Sequence, residues 1–369
     1  MSMLPATLLL PQQTLAKPGS ALGLAQAAKP FGRSGLLVYG SSLSRSGRLA
    51  AILEHCPEDM TVRTWQHAGG EPTVDAVDAL RAELRASRPD WVAAVGGGSV
   101  IDLAKAAAGL VDAPASAAHY QTNNADIPPA TLPMLAVPTT AGTGSEATVV
   151  SVLTDPSRAL KQSIRHPTFM PKRVLLDPDL LLGSPPETVA TAGLDAFIQA
   201  FESYTSRFAT PFTRALSELA LVSIARGLLP FYEGDASFAS DLLESSYLAG
   251  LALSHARLGV IHGLAHPLGG RFGIRHGLAC ALCLPAALAF NRDVIRADLA
   301  NLKARHGLDV EEQVSTWLDA MRLSNPLAGK NVADRDAFVQ EILASGSTAA
   351  NPRPVTAADA AELLDALFR

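Results

Sequence analysis

The stretch Asp90–Leu110, DWVAAVGGGSVIDLAKAAAGL, decides the architecture. Asp90–Val95 is a short apolar run that reads as a strand. Gly96-Gly97-Gly98 reads as a turn, and Ser99 to about Leu110 as an Ala-rich helix with Asp102 and Lys105 on its first turns. Glycines at a strand end let backbone N–H groups approach a ligand, and a helix start favours an anion such as a pyrophosphate. The spacing is not G-x-G-x-x-G, and a plain strand–helix connection has the same composition. Outward from this stretch the unit recurs. Ser34–Tyr39 (SGLLVY) reads as a strand, followed by Gly40-Ser41-Ser42 and a helix through Ile52 and Leu53. Val74–Ala86 reads as a helix, and the strand Leu132–Val137 runs into Pro138–Glu146, PTTAGTGSE. Alternating strands and helices imply an α/β, Rossmann-like parallel sheet with helices on its faces. The hydroxyls of Thr139, Thr140, Thr143 and Ser145 are expected at the same sheet edge as Gly97, Gly98 and Ser99, where open parallel sheets bind ligands. Asp112–Ala130 reads as a polar loop.

The pattern changes after Val174–Pro178. Thr188–Ser206, Pro211–Tyr232, Ala239–Leu253, Ala279–Phe290, Val310–Arg322 and Ala357–Phe368 all read as helices, with no strand among them. Two domains follow, an α/β domain over 1–183 and an all-α domain over 184–369. With 369 residues, 48% of them hydrophobic, the chain can bury two such cores. A net charge of −5 argues against nucleic-acid and anionic-membrane partners, which call for a basic excess. The apolar run Gly277–Phe290 is shorter than a membrane span and is interrupted by Pro285. Three cysteines do not staple a chain of this size, and no targeting segment is evident at Met1–Gln13, so a cytoplasmic protein is expected.

The helical half carries a second kind of signal. Asp195 and Gln199 are spaced i, i+4 on one face of an apolar helix, where a carboxylate needs a partner. His262 and His266 repeat that spacing in GVIHGLAHPLGG, and His276 follows in GIRHGLAC. The chain has nine histidines, and three of them fall in this one stretch, which favours a site over three separate core residues. One Asp with two or three His suits zinc or ferrous iron, with helix-borne ligands and one more from the following loop. Cys280 and Cys283 form a C-x-x-C in an apolar helix with no second such pair, and read as core residues. His55, His67, His119, His166, His255 and His306 have no evident partners in the sequence.

GGGSVIDLAK, PTTAGTGSEAT, GLDAFIQAFESY and HGLAHPLGGRFGIRHG, in this order, resemble the iron-containing (group III) alcohol dehydrogenase family. The match extends over DPDLL near Asp177 and over Asn351-Pro352-Arg353. The resemblance implies NAD(P)-linked interconversion of an alcohol with an aldehyde or ketone in a cleft between the two domains, and a homodimer. It implies a divalent metal, Zn²⁺ or Fe²⁺, on Asp195, Gln199, His262 and His276, with His266 near substrate and nicotinamide as the proton relay. It places the cofactor phosphates on Gly97, Gly98 and Ser99, with Asp102 on that helix and Thr139, Thr140 and Thr143 beside them, and points Lys161 toward a ribose. Two departures stand out. Gln199 replaces a family histidine, and Gly40 stands where many NAD-preferring members carry Asp. Gly40 and Ser41, with Ser42 and Arg45 nearby, leave room for a 2′-phosphate, so NADP(H) is expected to be preferred over NAD(H). The alternatives are a metal-independent reductase of the maleylacetate reductase type, a sugar-phosphate cyclase of the dehydroquinate synthase type drawing on Arg158, Lys161, Arg165, Lys172 and Arg173, and a cofactor-binding protein without turnover.

Overall fold

In the computed structural model, which describes residues 2–122, 125–130, 132–158 and 160–368, Trp91–Gly96 is a strand buried along its whole length. Its surroundings explain its composition. In chain order the strands are β1 (Gln13–Ala16), β2 (Ser34–Tyr39), β3 (Thr61–Gln66), β4 (Trp91–Gly96), β5 (Met134–Pro138), β6 (Val150–Asp155), β7 (Leu160–Arg165) and β8 (Arg173–Leu176). Six of them form a wholly parallel sheet in the order β1-β8-β5-β4-β2-β3, while β6 and β7 make a separate antiparallel pair. Successive strand residues point to opposite faces. Leu36, Val38, Val92, Ala94 and Ala136 pack with the helices Val74–Ser87 and Gly98–Gly109. Leu37, Ala93, Val95, Leu135 and Val137 pack with Leu24, Ala28 and Ile52 on the other side. Strands covered on both faces need near-continuous apolar sequence, and β2, β4 and β5 have it.

The chain leaves β2 for β3 on one side and then returns to lay β4 on the other, so the strand order reverses between β2 and β4. Tyr39 pairs with Val95 and Gly96 with Pro138, so the carboxyl ends of β2, β4 and β5 lie side by side. A ligand of an open parallel sheet binds at such a reversal.

Several elements differ from the sequence reading. β1 and β8 have only four residues each, and β3 (TVRTWQ) is half-exposed with a polar face, so none shows an apolar run of readable length. The β6–β7 hairpin has no counterpart in the sequence reading, and Ala117–Thr122 is a helix inside the expected loop Asp112–Ala130; positions 123 and 124 of that loop lie outside the described residues.

The chain divides into two compact units, Leu9–Gly183 and Ser184–Arg369 together with Met1–Leu8. The first eight residues therefore go with the helices and not with the α/β part, where the sequence reading put them. The Phe212 N–H donates to the Met3 carbonyl at 3.1 Å. At the centre of the helical unit is Pro186–Thr205, buried throughout Gly193–Thr205. It packs against Pro211–Tyr232, Ala239–Ala256 and His276–His306. Thr210 starts the second of these helices with a capping box to Thr213, and Pro211 occupies a first-turn position where its missing N–H costs nothing. Val260–Phe272 is also a helix, and the run read as Ala279–Phe290 is the middle of a 31-residue helix, His276–His306, that continues through Pro285. By length and composition that helix and Pro211–Tyr232 could each cross a bilayer; half of the first one's apolar window is buried within the protein.

One contact sets the spacing of two helices. A Cβ on Gly277 would lie 1.8 Å from the Thr191 carbonyl oxygen and 3.2 Å from the Asp195 nitrogen. The start of His276–His306 thus rests directly on the backbone of Pro186–Thr205, and only glycine fits there.

Candidate functional site

The central helix presents Asp195, Gln199 and Glu202 at i, i+4 and i+7, one polar stripe on an otherwise apolar rod. All three are buried. His262 Nε2 lies 3.3 Å from Asp195 Oδ1 and His276 Nε2 lies 3.7 Å from the same oxygen. Cys280 Sγ is 3.8 Å from His276 Nε2. One donor atom from each of Asp195, His262, His276 and Cys280 falls within 4.8 Å of all the others. His266 borders this group without joining it, its ring stacked on His276 at 5.0 Å between centroids and 8° between planes.

Two sequence expectations change here. His276 is not a loop residue but the first residue of the long helix. Cys280, one helical turn further on, was read as a core residue; it is buried, and it belongs to the donor cluster. Its i, i+4 spacing from His276 was the available signal. Cys283 stays in the core reading, buried and outside the cluster.

Glu202 was missed altogether, although it continues the Asp195–Gln199 stripe. Its carboxylate accepts the Ile261 N–H at 2.7 Å and the His262 Nδ1–H at 2.6 Å. Asn351 Oδ1 accepts the Val260 N–H at 3.2 Å. Between them they cap the start of Val260–Phe272 and pin the His262 ring, so that Nε2 is the nitrogen left facing Asp195. The Asn351-Pro352-Arg353 segment is therefore a brace for this helix, and Asp177 plays a similar part in the α/β unit, accepting the Gly19 and Ala21 N–H groups.

Burial opposes charge on all four donors, yet the cluster overrides it. Burial alone would lift the Asp195 carboxyl, but His276 and His262 and a hydrogen bond from Gln199 pull it below the usual carboxylate range. Burial would lower His262, but Cys280, Asp195 and Glu202 hold it well above the ordinary imidazole range. Burial would raise the Cys280 thiol, and the two histidines bring it below the usual thiol range. These groups fit a divalent cation: imidazole, carboxylate and sulfur are the donors that zinc and ferrous iron take. Gln199 Oε1 is in addition a buried oxygen with no hydrogen-bond partner.

The second candidate region is the sheet edge of the α/β unit. Gly97 is the N-cap of Gly98–Gly109 and offers no side chain there, and the Val100 and Ile101 N–H groups both return to its carbonyl. The N–H groups of Gly98 and Ser99 have no acceptor within the helix, as at any helix start, where an anion can be accepted. The glycines are small for different reasons. A Cβ on Gly96 would meet Val100 at 2.6 Å and one on Gly98 would meet Thr143 at 2.6 Å, whereas at Gly97 the nearest atom, Thr140 Oγ1, is 3.4 Å away. Thr139 is tied to β4 by its N–H to the Gly96 carbonyl at 3.0 Å. Gly40 is extended and begins a short helix, with Arg45 donating to Ser41 Oγ at 2.8 Å.

Two residues expected near the cofactor also have partners within the chain. The Asp102 carboxylate accepts the Ser145 hydroxyl and, at 2.9 Å, the Val152 N–H. Lys161, on β7, donates to Glu71 at 2.8 Å. Beneath the 138–146 loop lies the fully buried Lys105, whose ammonium donates to the carbonyls of Ser145 and Val150 and to Ser145 Oγ and Thr148 Oγ1, all at 2.6–3.1 Å.

Glu146 beside it is buried, has an unpartnered Oε1, and is pushed up to about 7 by burial. Because the folded form holds a proton that the unfolded chain releases near 4.5, stability is expected to fall as pH rises from about 4.5 to 7. The loss from this group is at most roughly 3.5 kcal/mol, at about 1.4 kcal/mol per pKa unit. Glu146→Gln should flatten that fall. Denaturation midpoints at mildly acidic and mildly alkaline pH check it, and a variant that still loses stability as steeply as the parent would refute the assignment.

Comparison with known proteins adds the family. The iron-containing alcohol dehydrogenase model matches residues 11–178, and the C-terminal model of the Fe-containing alcohol dehydrogenase family matches residues 189–368. The chain is 35% identical over 359 residues to the probable alcohol dehydrogenase EutG of Escherichia coli, covering 94% of this chain and 91% of that one. It is 31% identical to the 1-propanol dehydrogenase PduQ of Salmonella typhimurium, over 90% of this chain and 92% of the other. Among solved structures it resembles the sulfoacetaldehyde reductase of Bifidobacterium kashiwanohense in complex with NAD+, at TM-score 0.91 and 26% identity, with 99% of both chains covered. Sequence motifs, sheet order, buried donor cluster and these matches agree: the chain belongs to the iron-containing alcohol dehydrogenase family.

Proposed function

We propose that this protein is an NAD(P)-dependent oxidoreductase that interconverts a small alcohol with its aldehyde or ketone, assisted by a bound divalent metal. The observation that carries this reading is the convergence of the buried Asp195, His262 and Cys280 with the part-exposed His276 in a chain of this family. Relatives named as alcohol and 1-propanol dehydrogenases, and a structural neighbour holding NAD+, support it.

When bound, a divalent metal would supply Lewis-acid polarisation of the substrate oxygen, and a nicotinamide cofactor would supply or accept the hydride. Asp195, His262 and His276 hold the ion, and Glu202 keeps His262 Nε2 directed at it. Gln199 steadies the Asp195 carboxylate by hydrogen bond. His266, half-buried against His276, holds the proton that the substrate oxygen gains on reduction and takes it back on oxidation. In the α/β unit, the free N–H groups of Gly98 and Ser99 receive the cofactor phosphates, and Thr139, Thr140 and Thr143 line the same edge. A panel of short alcohols, aldehydes and ketones, followed by the absorbance of the reduced cofactor, tests the reading; no turnover on any member with either cofactor would refute it.

Three of the five cations on which the cyclase alternative draws have partners elsewhere. Arg158 pairs with Asp155, Lys161 with Glu71, and Arg173 donates to the Ala27 carbonyl, so these cations are engaged separately and do not converge on a phosphate. The metal-independent alternative leaves the four-donor cluster without a use. We further propose a small-molecule enzyme of a reducing cytoplasm, as its three cysteines, none in a disulfide, suit. It acts on neither nucleic acid nor membrane, and as a homodimer.

NADP(H) is the proposed preferred cofactor, because the end of β2 offers Gly40, Ser41 and an exposed Arg45 and no carboxylate. Gly40→Asp should lower the NADP(H)-over-NAD(H) ratio of kcat/KM by about tenfold or more, roughly 1.4 kcal/mol. The backbone there is extended and takes any residue, and the new Cβ meets only Val100 Cγ2, at 3.3 Å. Steady-state kinetics with both cofactors measure it; a parent enzyme that prefers NADH would overturn the proposal.

A further inference from the structure

We infer that Cys280 binds the divalent metal as a thiolate, so that the donor set of this chain is one carboxylate, two imidazoles and one sulfur. The inference rests on the metal-assisted reading above and deepens it; with four protein donors, the substrate oxygen would enter as a fifth ligand, a coordination number that catalytic zinc reaches. Four observations lead to it. Cys280 is fully buried, on the face of its helix that carries His276 one turn earlier. Its sulfur falls in the same donor group as Asp195, His262 and His276. Three of the six separations among the donors, 3.3, 3.7 and 3.8 Å, are close to the length of tetrahedral edges, and all six lie within 4.8 Å. An ion bonded at about 2.0–2.3 Å to N, O and S donors requires edges of roughly 3.3–3.7 Å. Finally, Gln199 offers a neutral amide where a fourth strong donor is wanted, and it already spends a hydrogen bond on Asp195.

The chemistry balances simply. As the metal–sulfur bond forms, the thiol S–H breaks and its proton leaves to solvent, with no change of oxidation state. Exchanging a neutral donor for an anionic sulfur raises affinity for softer ions, so zinc is held in preference to ferrous iron. Two negative donors, Asp195 and Cys280, then neutralise the dication within a buried site, with the Glu202 carboxylate behind the His262 ring. Cys283, three residues on and outside the donor group, takes no part.

The test is spectroscopic and does not depend on turnover. The full-length protein is stripped by chelation and reloaded with Co²⁺ alone or Zn²⁺ alone. The cobalt form should show a near-ultraviolet thiolate-to-cobalt charge-transfer band, and X-ray absorption at the zinc edge should count one sulfur at about 2.3 Å. Cys280→Ser and Cys280→Ala should each lose the band and the sulfur and weaken metal affinity at least about tenfold; Cys283→Ala should keep both. The double variant Cys280→Ala/Gln199→His should recover metal content with nitrogen and oxygen scatterers only, which separates loss of a donor from loss of the fold. Stoichiometric metal with only nitrogen and oxygen neighbours in the parent protein would overturn the thiolate while leaving the metal-assisted reading standing. Failure of the parent to take up either ion would overturn both.

Discussion

Replacing His262 by alanine should strip the protein of its divalent metal and lower kcat/KM by about three orders of magnitude or more. Lewis-acid polarisation contributes several kcal/mol to such a reaction, and each 1.4 kcal/mol is about tenfold in rate. The histidine is also the partner of Glu202, whose carboxylate sits 2.6 Å from Nδ1. Its loss leaves one buried acceptor short of a donor, at a cost of roughly 1–3 kcal/mol in stability. Elemental analysis beside steady-state kinetics checks the first expectation, and denaturant unfolding the second. A variant that keeps both metal and turnover would show that the ion, or the chemistry, lies elsewhere.

The second large effect needs no change to any donor. Gly277→Ala places a methyl group 1.8 Å from the Thr191 carbonyl oxygen, which is helix backbone and cannot rotate away. Overpacking of cores costs roughly 1–3 kcal/mol where side chains can move, so a loss at or beyond the upper end of that range is expected here. The helix His276–His306 must lift from Pro186–Thr205, and with it go His276 and Cys280, so metal content should fall together with stability. Gly270→Ala is the matched control. It lies in the helix Val260–Phe272 with nothing within 4 Å of its added carbon, and it should be neutral or slightly stabilising. Equal unfolding midpoints for the two variants would refute the close-contact argument.

How much of this was legible in the sequence follows from what each residue must satisfy. β2, β4 and β5 are buried on both faces, so their apolar runs announce them, and the parallel α/β sheet with a helical second half follows from their alternation with helices. β3 and the β6–β7 pair expose one side, so their composition resembles that of loops. In the candidate site, Asp195, His262 and His276 were visible because charged and imidazole groups are conspicuous on apolar helices. Cys280 was not, since a cysteine in an apolar helix looks like any other small core residue until its neighbour across the helix turn is located. Glu202 was overlooked for another reason. Its partners, the Ile261 N–H and the His262 ring, come from some sixty residues away, and no local pattern announces a pairing at that separation. Asp102 and Lys161 were legible as polar residues at plausible positions, but not their internal partners, which are distant in sequence.

The buried lysine beneath the 138–146 loop bears on the thermodynamics of cofactor uptake. Lys105 fastens Ser145, Thr148 and Val150 from below, and Asp102 ties Ser145 and Val152 to the same helix. A loop held at its exit, from Ser145 to Val152, has less conformational freedom left to surrender there when a dinucleotide arrives. Association should therefore carry a small entropic penalty of ordering, and the loop amides should exchange hydrogen slowly even before the cofactor is added.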